Sequence, residues 1–321
     1  KTILSSGINY QKRRDYTRYI TNLSYGYEWK ESIKKTHLFY PVEINSIKIN
    51  LLNKSFYEKI KQLYDKQILN SYQDHLIIGA KYSYIYNEQQ RNKIANFRYL
   101  RLNYEMAGNI MWLLNRSFKS VMTDNSYTLF NIHYAQYVKI ELDYRYYSYF
   151  NKDNIFVYRF LTGVGVPYGN MNVLPFEKSF FAGGANSMRG WLIRSLGPGS
   201  FKDTMNYKYD KIGDVLIENN LEIRFPIYRY LKGAIFSDIG NIWLRQKDSN
   251  RPGANFMFNK FLHDMAVDVG IAFRFDFSYF VIRMDCAVPF KDPSKNVNDR
   301  WVFRYTKFKD INFNFGIGYP F

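Results

Sequence analysis

Residues 180–199 read FFAGGANSMRGWLIRSLGPG, from Phe180 to Gly199. The stretch holds five of the chain's 19 glycines and separates two long segments in which apolar and polar residues alternate. Its centre is Ser187-Met188-Arg189-Gly190-Trp191. A lone arginine beside glycine in a long loop marks a charge placed where the backbone must bend tightly.

On either side, period-two alternation predicts strands. Upstream these are 3–11 and 18–29 as a hairpin, a weaker strand over 41–52, then 75–87, 94–107, a very long strand over 131–150, and 155–166. Downstream they are 213–226, 231–244, 265–277, 279–289 and 310–321. Residues 54–71 break the pattern, with Phe56, Ile60, Leu63 and Gln67 at helical spacing. This predicts an amphipathic helix within a loop, or a segment covering local apolar surface. Residues 109–120 read as a short helical or irregular loop. Short connections near residues 90, 152, 229 and 278 alternate with long ones near 60, 115, 190, 255 and 300. Such alternation is typical of an outer-membrane barrel. Tyr144, Tyr146, Tyr147 and Tyr149, and Tyr228 with Tyr230, fall at strand ends beside turns. Amphipathic rings collect there at membrane interfaces, although cross-strand pairing in a soluble sheet is the competing explanation.

Composition agrees with a barrel. Aromatics make up 19% of the 321 residues, and mean hydropathy is −0.40. No apolar run reaches the roughly 18 residues of a transmembrane helix, a test to which barrel strands are invisible. Cys286 is the single cysteine, so no internal disulfide framework exists. The net charge of +17 fits anionic lipid headgroups or nucleic acid. Lys and Arg are spread along the chain rather than clustered, which disfavours nucleic acid. No GxSxG, CxxC, HExxH or phosphate-cradling loop is present, and His37, His75, His133 and His263 lack metal-ligand spacing. The sequence therefore predicts a non-enzyme without metal or cofactor.

Two acids stand out. In Leu221-Glu222-Ile223-Arg224-Phe225, alternation directs Glu222 and Arg224 away from the apolar face. In Phe236-Ser237-Asp238-Ile239-Gly240, it directs Asp238 the same way. Carboxylates on neighbouring strands facing one lumen suit a bidentate guanidinium, which Arg189 supplies if its loop folds inward. Periodicity alone leaves open that all three are merely solvated lumen charges. At the end of the chain, Phe313, Phe315, Ile317, Tyr319 and Phe321 alternate with Asn314, Gly316, Gly318 and Pro320. This predicts a lipid-facing last strand weakened by glycine and proline, or a plain edge strand of a soluble sheet.

The stretch Gly183-Gly184-Ala185-Asn186-Ser187-Met188-Arg189-Gly190-Trp191 closely resembles the loop signature of the outer-membrane assembly-factor superfamily, the BamA/TamA-type surface-antigen barrels. The following segments resemble its E-x-R-x-P and F-x-D-x-G-x-x-W strand motifs. Met188 and Trp191 stand where many members carry Val and Phe or Tyr, and the Arg194–Gly199 tail is most similar to the TamA-like lipoprotein branch of Bacteroidetes. The resemblance implies that Arg189 on the inserted loop meets Glu222 and Asp238, and that the terminal aromatic is an insertion signal. It implies an all-β antiparallel barrel of about sixteen strands, of which about twelve lie in this chain, with further strands and POTRA domains upstream. The whole of 1–321 is then one barrel domain, integral to the bacterial outer membrane. The implied function is insertion or translocation of client proteins at the seam between first and last strands. Implied partners are outer-membrane lipid and lipopolysaccharide, client outer-membrane or secreted proteins, and periplasmic or lipoprotein subunits, without nucleic acid. A passive pore or two-partner-type secretion channel is the alternative.

Overall fold

A computed structural model describes residues 1–13, 16–51, 58, 72–90, 94–117, 122, 126–203, 210–277 and 279–321. The strands are β1 (Thr2–Lys12), β2 (Tyr16–Lys30), β3 (Lys35–Leu51), β4 (His75–Asn87), β5 (Phe97–Ala107), β6 (Thr128–Leu129), β7 (Ile132–Tyr134), β8 (Tyr137–Tyr149), β9 (Ile155–Pro167), β10 (Val215–Tyr228), β11 (Leu231–Trp243), β12 (Ala266–Asp276), β13 (Val281–Lys291) and β14 (Asn312–Ile317). A helix, α1 (Asn109–Ser117), follows β5. The sheet order is β1-β2-β3-β4-β5-β8-β9-β10-β11-β12-β13-β14, so the twelve long strands follow chain order. The short β7 pairs parallel with β4 and antiparallel with β6, off that path.

Several expectations are corrected. The strand over 131–150 is two strands. Ala135 N–H donates to Leu76 O at 2.8 Å, extending the parallel pairing of β7. Gln136 then leaves the ladder, because its side chain accepts from Asn170 N–H and donates to Asn109 Oδ1. The third strand begins at Lys35 rather than 41, after a tight turn closed by Glu31 N–H and Lys35 O at 3.1 Å. Two short connections thus follow one another before the short-long alternation starts. The last strand stops at Ile317 rather than running to 321. The helix expected over 54–71 lies outside the described residues.

The chain divides into two compact units. The first comprises Lys1–Ile85, Leu102–Glu141 and Gly165–Ser179. Its core gathers Ile47, Ile77, Ala107, Ala135, Tyr137 and Leu174. Glu177 pairs there with His75 at 2.9 Å and Arg18 at 3.5 Å.

The second unit comprises Tyr86–Arg101, Leu142–Val164 and Phe180–Phe321. Its polarity is inverted relative to a soluble sheet. Ile223, Ile235, Ile271, Ile282 and Phe315 are exposed, whereas Glu222, Asp238, Asp268, Arg274 and Asp285 are buried. Period two alone sorts these residues onto opposite faces. Register then sets the buried face in lateral rows. Arg159, Asn220, Asp238 and Asp268 are successive neighbours across β9–β12. The next row is Val157, Glu222, Phe236, Gly270, Ala287 and Asn312, and the row beyond runs Arg224, Ala234, Ala272, Asp285 and Asn314. Ala234, Phe236, Ala272 and Ala287 form a small apolar floor between the charges.

Candidate functional site

The loop after β9 covers this charged face. Phe180, Ala182, Met188 and Leu196 pack with Leu216, Ile242 and Ala266 as a buried cluster, and Trp191 leans on it. Sequence puts the apolar Met188 beside the charged Arg189, so one anchors the tip in the cluster while the other reaches the polar rows. Gly183 and Gly184 take φ of +105° and +95°, a region that disfavours side chains. There Gly184 N–H donates to Trp191 O at 2.8 Å and Gly183 N–H to Ser187 Oγ at 3.1 Å, closing the tip. At Gly190 the constraint is space, since a Cβ would lie 2.6 Å from Asp268 Cβ.

Arg189 is fully buried. Nε donates to Asp238 Oδ2 at 2.8 Å and Nη2 to Asp238 Oδ1 at 2.9 Å, a two-pronged contact. Nη1 donates to Glu222 Oε2 at 2.7 Å. The guanidinium carbon stands 3.3 Å from the centre of the Phe236 ring, so the cation is stacked as well as paired. Burial opposes the charge, but Asp238 and Glu222 outweigh it and hold the Arg189 pKa above its ordinary value. Glu222 is shared, because Oε1 also accepts from Arg224 Nε and from Arg274 Nη2 at 2.7 Å.

The structure therefore brings Arg189, Glu222 and Asp238 together, and it adds partners that alternation alone does not reveal. Gly190 N–H donates to Asp268 Oδ2 at 2.9 Å, and Asn220 Nδ2 donates to Ser187 O at 3.2 Å. Ser187 Oγ donates to Glu218, Arg159 Nη1 to Asn186 O at 3.1 Å, and Arg283 Nη2 to Ala185 O at 2.9 Å. Most consequential, Asn312 and Asn314 both donate to Arg189 O, at 2.8 and 2.9 Å. The tip thus touches each strand from β9 to β14. Lateral register, which places Asp268 beside Asp238, was the one signal able to nominate a further acid. The backbone carbonyl as acceptor has no sequence signal.

The end of the chain differs from expectation. Phe313, Phe315 and Ile317 are exposed as an apolar row. Gly316 faces Arg283, where a Cβ would lie 2.7 Å from Nε, so its smallness admits that side chain. Gly318, at φ +87°, turns the chain off the row. The Tyr319 ring then stacks on Arg224 at 4.5 Å, and Phe321 is buried with its ring centre 5.8 Å from the guanidinium carbons of Arg159, Arg189 and Arg224. Phe321 therefore belongs to the charged face, because buried guanidinium planes offer an aromatic ring a better contact than the apolar row does.

Among the described residues no group of His, Cys, Asp and Glu is arranged to hold a metal. The Omp85 superfamily domain matches residues 4–321. BamA from Haemophilus ducreyi lacking POTRA domains 1–3 has a similar fold, with a TM-score of 0.61 at 15% identity over 98% of this chain and 57% of that one. CdiB from Acinetobacter baumannii aligns with a TM-score of 0.50 at 13% identity over 87% of this chain and 39% of that one. The chain thus spans little more than half of the BamA structure and less of CdiB. No curated protein matches the sequence.

Proposed function

The chain belongs to the Omp85 superfamily, and from that premise we propose that it is part of a bacterial outer-membrane barrel that assembles or translocates client proteins without enzymatic chemistry. Clients would add strands by edge pairing at β14, which pairs only with β13 among the described residues. The loop after β9 braces the charged face, and Arg189 is its fastener. One observation carries the reading: Arg189 joins Glu222 and Asp238 through its side chain and β14 through its carbonyl. That contact couples the buried loop tip to the strand at which clients would pair. Within the superfamily we assign the chain to the TamA-like lipoprotein branch, on the Arg194–Gly199 tail. Outer-membrane lipid, lipopolysaccharide and accessory subunits are its proposed surroundings.

The test is the Arg189→Ala variant of the intact protein, assayed for client assembly and for single-channel conductance. The expected result is lost assembly, with wild-type conductance low and flickering. Full assembly by the variant, or a large steady wild-type pore, overturns the proposal and favours a secretion channel.

A further inference from the structure

The connection between β13 and β14 is built unlike the loop over the charged face. It contains three short 3-10 helices, Val297–Asp299, Val302–Tyr305 and Phe308–Asp310. It folds over the apolar face. Phe290 continues the row of Ile282, Met284, Cys286 and Val288, and its ring stacks on Phe303 at 4.5 Å and meets Trp301 edge-on at 5.7 Å. Lys291 Nζ lies 5.8 Å from the centre of the Trp301 ring. Arg300 pins the segment sideways to the loop between β11 and β12, donating to His263 O at 3.1 Å beside Asp264 at 3.7 Å.

What remains outward is mixed in a specific way. Trp301, Phe303 and Phe308 are exposed, the last at 82%. Arg304, Lys307 and Lys309 are exposed among them, and none forms an ion pair among the described residues. Through Phe290, the Trp301 and Phe303 rings adjoin an apolar row that already faces outward on β13 and β14. Aromatic rings interleaved with basic side chains at the rim of an apolar band match the chemistry of a headgroup layer, where rings take the apolar boundary and ammonium or guanidinium groups take phosphate.

We infer that residues 297–310 form a foot resting on phosphate-bearing lipid headgroups, beside the edge of β14. The inference rests on the proposed barrel. It assigns to that barrel a lipid contact on the connection leading into its last strand, so headgroup charge would bias how firmly that strand is seated.

The experiment uses the full protein in nanodiscs of phosphatidylglycerol mixed with phosphatidylcholine. A fluorophore is placed at Phe308→Cys in a Cys286→Ser background. Nitroxide on the lipid headgroup is expected to remove most of the emission, and aqueous iodide little of it. Energy transfer to an acceptor carried on phosphatidylglycerol is expected to exceed transfer to one on phosphatidylcholine. The Arg304→Ser/Lys307→Ser/Lys309→Ser variant is expected to lose that preference. A second fluorophore at Ile271→Cys, on the outward face of β12, reports embedding through an acyl-chain nitroxide. If Ile271 is quenched from the acyl chains while Phe308 is quenched only by iodide, the foot is wrong and the barrel stands. If both labels answer only to iodide, the barrel falls and the foot with it.

Discussion

Arg189 and Glu222 are not equivalent halves of a salt bridge. Removing Arg189 leaves Glu222 with two further guanidinium partners, Arg224 and Arg274, but strips Asp238 of its only cation among the described residues. Breaking a buried pair from one side costs about 3–5 kcal/mol. Arg189→Ala should therefore lower stability by about that amount, because it strands the buried Asp238 carboxylate, and Asp238→Asn should cost less, because Arg189 keeps Glu222 as a partner. Arg189→Lys should recover only part of the loss, since an ammonium cannot span both Asp238 oxygens or stack on Phe236. Denaturant midpoints in detergent, with electrophoretic heat-modifiability as a second reading, check all three. A Lys variant as stable as the parent would sink the bidentate account. Glu222→Gln should equal or exceed Arg189→Ala, because it leaves three buried cations short of one acceptor.

At the scale of elements, β14 is the informative strand. It is six residues long and hydrogen-bonded to β13, with the loop tip held against its polar side by Asn312 and Asn314. Two neutral hydrogen bonds contribute about 2 kcal/mol, roughly thirtyfold in a local opening equilibrium. Asn312→Ala/Asn314→Ala should therefore speed amide exchange in β14 while β10–β12 keep their protection. Equal acceleration from β10 through β14 would mean the asparagines stabilise the sheet as a whole. Gly190→Ala tests the same contact from the loop side, by pushing the tip off Asp268. The sequence made the strand and its apolar row legible, because period two is local. It did not show the break at Gln136, which depends on Asn109 and Asn170 far along the chain. Nor did it show the turn at Gly318, since a positive φ leaves no trace in alternation. Alternation placed Glu222 and Asp238 on the inward face of β10 and β11, and the resemblance of the loop, not the alternation, paired them with Arg189. Asp268 and the two asparagines required register across four strands, which pattern reading does not supply.

At the scale of the whole molecule, the decisive property is which face is apolar, and here sequence and structure are complementary. A mean hydropathy of −0.40 reads as polar, yet the polar residues of β10–β14 lie buried and the apolar ones lie outside. A soluble sheet would be destabilised by that arrangement, and a lipid-facing one requires it. The contrast yields a test that no single contact provides. Ile235 on β11 is 57% exposed and sits directly across from Ile223 and Ile271. In water, a charged side chain at such a site changes stability by a few tenths of a kcal/mol. Against hydrocarbon at the bilayer midplane, Arg costs about 2–4 kcal/mol, falling towards the interfaces. Ile235→Arg should thus shift the denaturant midpoint in phospholipid vesicles by an amount in that range, and Ile223→Arg and Ile271→Arg should report comparable depth, because the three are register partners. Three near-zero shifts would place this face in water and require a different account of the inverted sheet. A graded series over the outward residues Leu231, Ile235 and Ile239 of β11, largest at one of them, would locate the bilayer on the strand.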